Sequence, residues 1–201
     1  MKQLIPNWDL DNIGSFCYEH FTKKLKREFS EDTMIDILKN HSHWFDITQA
    51  IIALREIGTA ECIEHLKNIA SNYNGSKKMD IQAAAVLTIA KLANGTENEY
   101  LGKLLIDENF KNKWYTMAAI FHKANKNALP YVLEYGNAKI KKSKNMPKIG
   151  GLILAYLAEY ASKNEQAKKI FSNINKDFEE MDNGTKEYLR KEFPDVFAQA
   201  G

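Results

Sequence analysis

The amino-acid sequence predicts an all-α protein built as a stack of helical hairpins. An apolar phrase recurs with a period of about 35 residues, and its members fall at positions i, i+4 and i+7, which share one face of a helix. A helical face that returns at this period is typical of an α-solenoid. The phrase occurs at Ala50, Leu54, Ile57 and Gly58, at Ala85, Ile89, Leu92 and Ala93, more weakly at Met117, Phe121 and Ala124, and at Ile153, Leu157, Tyr160 and Ala161.

Composition supports the same fold class. The 201 residues include only four prolines and ten glycines, and Ala, Leu, Lys, Glu and Ile are common while valine is scarce, which favours helix over sheet. The length suits one domain with a substantial core. We therefore predict a single domain over 1–201, with capping helices in 1–45, four hairpins in 46–181 and a C-terminal cap in 182–201.

The N-terminal cap is predicted to contain two helices. Residues 8–29 carry an apolar stripe at helical spacing, with basic residues in the last two turns that complement the helix dipole. Ser30 can cap the next helix, 31–40, whose first turn is acidic. Residues 41–45 are interpreted as a connector.

Breaks in the apolar pattern separate the first two hairpins. The first pairs helix 46–57 with helix 60–73, and the second pairs helix 79–92 with a helix that runs to about residue 107. Gly58 ends the first helix and Thr59 can cap the second. Asn94 and Gly95 form a left-handed stop, after which Thr96 and Glu99 have the spacing of a capping box.

The third and fourth hairpins follow the same logic. We predict helices 112–126 and 128–142, with Pro130 in the first turn of the latter, and then helices 147–162 and 164–181. A short terminal helix follows Asn183, Gly184 and Thr185. Across the array the periodicity predicts that Leu54, Leu87, Ile89, Phe121 and Leu157 are buried.

The segment from Ala50 to Gly58 resembles the first-helix core of a HEAT repeat, and the segment from Asp80 to Leu87 resembles the start of another. The resemblance to the HEAT-repeat superfamily covers 46–181. It implies a right-handed α-α superhelix with the first helix of each hairpin on the convex side and the second on the concave side. An ARM-like or irregular variant also fits, because the first-helix proline and the Asp/Arg ladder of long HEAT arrays are absent. No functional residue is carried over.

Charge and cysteine content narrow the class of protein. The net charge is +2, so no global field selects a nucleic-acid partner. Cys17 and Cys62 lie in apolar helical contexts and are interpreted as two buried thiols rather than a disulfide, which suits a reducing compartment. Residues 1–10 do not have a signal-peptide pattern and the apolar run 150–158 is too short to cross a bilayer, so we expect a cytoplasmic protein without a membrane partner.

Two small constellations carry potential chemistry. His41, His43 and Asp46 place nitrogen and oxygen donors close together, as zinc requires, but a solvated connector is the favoured interpretation because no fourth donor is evident. Glu61 and His65 stand at i, i+4, a spacing that is also common for surface pairs. No phosphate-binding loop or nucleophile motif accompanies them. We therefore expect no metal, no cofactor and no enzymatic activity.

The candidate binding site lies on the predicted helix 128–142. Tyr131, Tyr135, Lys139 and Lys142 share one face over three turns, and Lys141, Lys144 and Lys148 add positive charge beside it. A solvated helix end that complements its dipole is the alternative interpretation. An acidic group at 177–182 gives the surface separated signs, which suits a protein partner better than bare nucleic acid.

Two functional hypotheses follow from this pattern. The first is a non-catalytic protein-binding module, either a toxin-neutralising immunity protein of bacterial type or an adaptor, an idea that depends on analogy. The second is a nucleic-acid-binding protein similar to the HEAT-like alkylation-repair DNA glycosylases. Those enzymes need a strongly basic surface and an acidic residue beside aromatic ones, and no residue of this chain is matched to that arrangement. Salt-dependent binding to a duplex separates the two hypotheses.

Overall fold

The structure, a computed structural model, describes residues 16–140, 147–160, 164–170, 183–192 and 194. Within these ranges the regular elements are all helical and no strand is formed, so the predicted all-α class is confirmed for the described chain. The main helices are α1 (Glu31–Asn40), α2 (Trp44–Ile57), α3 (Ile63–Asn72), α4 (Lys78–Ala93), α5 (Asn98–Ile106), α6 (Lys113–His122), α7 (Leu129–Ile140), α8 (Pro147–Tyr160) and α9 (Asn183–Glu192).

The first predicted helix ends earlier than expected. Residues 16–19 are helical and continue into a π-helical turn, His20–Lys24, where the Leu25 N–H donates to the His20 carbonyl at 3.0 Å. Lys26 then has a φ of 53°, in the left-handed region, which a continuing right-handed helix does not allow. The predicted extension to residue 29 is therefore wrong.

Two side-chain caps and one left-handed stop confirm three of the predicted helix boundaries. Ser30 Oγ accepts from the Thr33 N–H at the start of α1, whose bounds are those predicted. Thr59 Oγ1 accepts from the Glu61 N–H and begins a 3₁₀ turn, Ala60–Cys62, that leads into α3. After α4 the chain stops where expected, because Asn94 has a φ of 49° and Gly95 a φ of 92°.

Other boundaries differ from the predicted ones. The Thr96 hydroxyl donates back to the Ala93 carbonyl at 2.8 Å, so the capping box predicted for Thr96 and Glu99 is wrong. Helix α2 begins at Trp44, inside the predicted connector. Helix α6 ends at His122 because Asn125 caps the separate 3₁₀ turn Lys126–Ala128 that precedes α7.

Among the helices α1 to α8, the consecutive ones that pack against each other most are α1 with α2, α3 with α4, α5 with α6, and α7 with α8. Each second helix of a predicted hairpin therefore pairs with the helix that follows it, and α1, expected in the N-terminal cap, is half of the first pair. The reason for this difference is general. A sequence period gives the length of a repeat but not the helix at which the repeat starts.

Helices also contact their counterparts in the neighbouring pair. Helix α2 packs against α4, α4 against α6, and α6 against α8, while α1 contacts α3 and α5 contacts α7. Between α3 and α5, Lys67 Nζ lies 2.7 Å from Glu97 Oε2, and the Tyr100 hydroxyl donates to the Lys67 carbonyl. These packed helix pairs are compatible with a helical repeat-like arrangement.

Most of the residues expected to be buried from the repeated apolar phrase lie in the core. Leu54, Leu87, Ile89 and Leu157 are buried as predicted, whereas Phe121 is only half-buried at the surface of α6. The expected pair of buried free thiols is confirmed in Cys17 and Cys62. Burial raises the pKa of the Cys17 thiol to about 11 and that of Cys62 to about 12, so neither is a reactive thiolate near neutral pH.

Candidate functional site

The two tyrosines predicted to bind a partner are covered to different extents by the protein itself. Tyr131 is half-buried, and its ring covers Gly102 of α5 so closely that a Cβ atom added to Gly102 would lie 2.4 Å from Tyr131 Cδ2. Tyr135 is only 9% exposed, and burial raises the pKa of its hydroxyl. Tyr135 therefore offers a partner almost no contact area and Tyr131 only part of its surface, while the binding of a partner through these residues stays a prediction.

Of the two lysines in the predicted site, the structure describes only the backbone of Lys139. Lys139 belongs to the backbone of α7, but its side chain is outside the described part of the chain. Lys142 lies outside the described residues, as do Lys141 and Lys144. Their role in binding a partner stays a prediction.

The opposite side of α7 borders an open groove of about 710 Å³. Apolar carbons from Leu129, Pro130 and Leu133 meet the polar ends of Glu134 and Asn137 there. Across the groove stand Asn164 and Gln166, at the start of the helical stretch 165–170. A concave surface that combines apolar area with a few convergent polar groups is the usual form of a binding site.

The local sequence explains why α7 presents this side. Asn125 caps the preceding turn, and Pro130 occupies the first turn of α7, where its missing N–H costs no hydrogen bond. Positions 130, 133, 134 and 137 share one helical face, while Val132 and Tyr135 point into the core. The exposed pair Glu134 and Asn137 is the signal in the sequence that could have indicated the outer face.

A second cluster surrounds Asp46, which was considered as part of a metal site. His20 Nε2 lies 3.0 Å from Asp46 Oδ1, His41 Nδ1 lies 3.3 Å from Oδ2, and His43 Nδ1 lies 3.9 Å from Oδ2. Sequence reasoning missed His20, because it is 26 residues from Asp46 in the chain. Over the described residues, no group of three or more His, Cys, Asp or Glu side chains is arranged to hold a metal ion.

The Asp46 cluster instead fastens the N-terminal segment to α2. His20 is buried, and its ring packs edge-on against Phe45 with a centroid distance of 5.0 Å. One helical turn earlier, the Cys17 thiol donates to Gln49 Oε1 at 3.1 Å. Since His20 Nδ1 is buried without a hydrogen-bond partner, the contact with Asp46 is the polar contact that the structure shows for this ring.

Asp46→Asn is expected to lower the free energy of unfolding by about 1 kcal/mol, because the amide removes the negative charge that the histidines contact. Urea denaturation measures this difference. Asp80→Asn is the matched control, since Asp80 holds the same third position in α4 but is exposed. Equal losses for the two variants would contradict a specific role for the Asp46 cluster and leave only a helix-dipole effect.

Glu61 and His65 are not joined by a hydrogen bond, and neither side chain belongs to the groove beside α7.

No helix in the described part of the chain is both long and apolar enough to cross a membrane. Comparison of the chain with protein-family models, with curated proteins and with solved structures found no match.

Proposed function

We propose that this chain is a non-catalytic protein-binding module whose helix pairs form a right-handed, HEAT-like superhelical stack. The support is the packing of alternate helices against one another, α2 against α4 and α4 against α6. Stacks of this kind present extended surfaces that bind macromolecules. We further propose the cytoplasm as its compartment, which the two buried free thiols favour.

The observation that carries the proposed function is the groove beside α7. Its mixture of apolar and amide side chains suits a protein segment, because amides can pair with both backbone N–H and C=O groups. We therefore propose that a partner protein occupies this groove and reaches the lysines at 139 and 142. A toxin bound by an immunity protein and a client bound by an adaptor are the two partner classes, and each forms a stoichiometric complex.

Site-specific photo-crosslinking tests the position of this surface. A benzophenone amino acid at Asn137, in the groove, is expected to give one defined adduct in native-host cells. The same amino acid at Asn68, an exposed position on α3, serves as the control. Adducts that are absent at both positions, or identical at both, would contradict a binding surface on α7.

With the captured partner in hand, the double change Lys139→Glu and Lys142→Glu is expected to weaken its binding at least tenfold, or about 1.4 kcal/mol. The melting temperature should hardly change, because the proposal gives both lysines a role in binding the partner rather than in packing, and solvent-facing charges contribute little to stability. Lys77→Glu with Lys78→Glu makes the same charge change at an exposed site where α4 begins and should leave affinity intact. Equal loss in both double variants would mean that only net charge matters.

Nucleic acid is the alternative partner of the same lysines. Binding to a labelled duplex, measured at several salt concentrations, separates the two functions. The proposed function predicts weak binding with a shallow salt dependence. Tight binding with a steep negative slope of log K against log salt concentration would contradict the proposed function and support binding of nucleic acid instead.

A further inference from the structure

The loop between α3 and α4 contains an asparagine followed directly by a glycine, Asn74 and Gly75. Such a pair can react without an enzyme, because the glycine nitrogen is held close to the side-chain amide and no Cβ shields it. The chain has two further pairs of this kind, Asn94 with Gly95 and Asn183 with Gly184. The surroundings of the three pairs differ in the structure, so their reactivity should differ as well.

The pair in the loop is open to solvent. Asn74 and Gly75 are both exposed, as is Ser76 after them. In the described part of the chain no hydrogen bond engages the Gly75 N–H. Hydroxide from the solvent can therefore reach this N–H and remove its proton, which makes the nitrogen a nucleophile.

Lys78, the first residue of α4, acts on the other reactant. Its ammonium Nζ donates to the side-chain oxygen Oδ1 of Asn74 at 3.2 Å. The positive charge draws electrons from the amide carbonyl, so the carbon Cγ becomes more electrophilic. The same contact stabilises the negative charge that Oδ1 acquires when the Gly75 nitrogen adds to Cγ, as a donor in an oxyanion hole does.

Tyr73 explains why a glycine follows Asn74. The Tyr73 hydroxyl donates to the Ser76 carbonyl at 2.9 Å, which holds the loop against the ring. A Cβ atom added to Gly75 would lie 2.5 Å from the Tyr73 hydroxyl oxygen. Any larger residue at this position would have to displace the ring, so the packing of the loop requires the residue that also makes it reactive.

The pair at Asn94 and Gly95 is shielded. Gly95 is buried, and its carbonyl accepts from Asn125 Nδ2 at 2.7 Å. Among the described residues no hydrogen-bond donor contacts the Asn94 side chain. The third pair opens helix α9, where the helical backbone restricts rotation of the peptide between the two residues.

We propose that Asn74 is a site of spontaneous modification, at which the Gly75 nitrogen attacks the side-chain amide polarised by Lys78, and that Asn94 is protected from the same reaction. The Gly75 nitrogen gives its proton to solvent and bonds to Cγ of Asn74. The bond from Cγ to Nδ2 then breaks, and Nδ2 takes a proton from solvent and leaves as ammonia. The product is a succinimide ring, which water opens at either carbonyl to give aspartate or isoaspartate.

The net reaction consumes water and releases ammonia, and each product adds a negative charge to the exposed loop. Aspartate at position 74 places a carboxylate beside Lys78 and near the positive end of the α4 dipole, so the fold should keep its stability. Isoaspartate adds a carbon to the backbone between Tyr73 and Ser76, which disturbs the hydrogen bond that joins these residues. The modification does not depend on the proposed function.

Incubation of the full chain at mildly alkaline pH, followed by tryptic digestion and mass spectrometry, tests the proposal. Asn74 and Asn94 fall in different tryptic peptides, 68–77 and 92–103. In the folded chain Asn74 should convert about tenfold faster than Asn94 or more. In urea, where the burial of Gly95 and the contact with Lys78 are lost, the two asparagines should convert at similar rates.

A matched pair of variants measures the role of the ammonium group. Lys78→Gln should slow the conversion of Asn74 about threefold or more, because the developing negative charge loses its cationic donor. Lys77→Gln makes the same change of charge at a neighbouring exposed lysine that does not donate to Asn74, and should leave the rate unchanged.

Any of three results would overturn the proposal: equal conversion of Asn74 and Asn94 in the folded chain, the same ratio of rates in the folded and urea-unfolded chains, or a rate in Lys78→Gln that equals or exceeds that of the wild type. A faster reaction in Lys78→Gln would show that the lysine holds the amide away from Gly75. The comparison of folded and unfolded chains needs no variant, so it decides the matter even if a substitution disturbs the loop.

Discussion

Leu54→Ala is expected to lower the free energy of unfolding by about 2–5 kcal/mol, the usual range for a fully buried leucine. Leu54 has no exposed surface and stands in the middle of the first copy of the repeated phrase. Helix α2 packs against both α1 and α4, so the cavity left by the missing carbons cannot close by moving one neighbour alone. The loss therefore includes the cavity as well as the transfer of the side chain to water.

Urea denaturation of Leu54→Ala and Ile52→Ala measures this effect with an internal control. Ile52 belongs to the same helix but is half-buried, so its replacement should cost about half as much or less. Both variants lose a branched aliphatic side chain from a helix interior, which makes the comparison one of burial. A loss below about 0.5 kcal/mol for Leu54→Ala, or a larger loss for Ile52→Ala, would mean that the apolar face of α2 was assigned wrongly.

The sequence predicted where the helices begin and end better than which helices pack against each other. The bounds of α1 follow from Ser30 and the acidic turn after it, and the end of α4 follows from Asn94 and Gly95, because caps and left-handed residues act within a few positions of the chain. Burial of Leu54 and Ile89 follows from helical spacing for the same local reason. These features needed no knowledge of the fold.

The parts that could not be predicted depend on contacts between distant residues. His20 meets Asp46 across 26 positions, and no local pattern marks that pair. The early end of the first helix at Lys24 depends on a left-handed residue, Lys26, that lacks the usual glycine signal. The pairing of helices likewise depends on which apolar faces fit together, which a period of about 35 residues does not contain.

In the candidate site, too, local features could be predicted from the sequence and contacts between helices could not. The sequence indicated α7 as a surface helix but placed the partner on the face of Tyr131 and Tyr135, because tyrosine is common in interfaces and amphipathic enough to suit either side. The structure puts Tyr131 over Gly102 of the neighbouring helix. The contact between a glycine on α5 and a ring on α7 depends on how the two helices pack, so the sequence of α7 alone did not indicate that Tyr131 is partly covered.

Gly102→Ala is expected to destabilise the protein by about 1–3 kcal/mol, although glycine-to-alanine changes inside helices ordinarily stabilise. The new Cβ would lie 2.4 Å from Cδ2, 2.7 Å from Cγ and 3.0 Å from Cβ of Tyr131. These atoms include the base of the side chain, so a rotation of the ring alone does not relieve the overlap. Helices α5 and α7 must separate, and their mutual packing weakens.

A double-mutant cycle with Tyr131→Ala isolates this contact. In the Tyr131→Ala background the two ring contacts are gone and only the contact with the Cβ of residue 131, at 3.0 Å, remains. Gly102→Ala should then be close to neutral, because the helix propensity of alanine, about 0.5–1 kcal/mol, offsets this remaining tight contact. The cost of Gly102→Ala should therefore fall by about 1 kcal/mol or more between the two backgrounds, and urea denaturation of the four proteins measures it. Stabilisation by Gly102→Ala in the wild-type background would show that Tyr131 does not lie on Gly102, and would return its ring to the surface that a partner could reach.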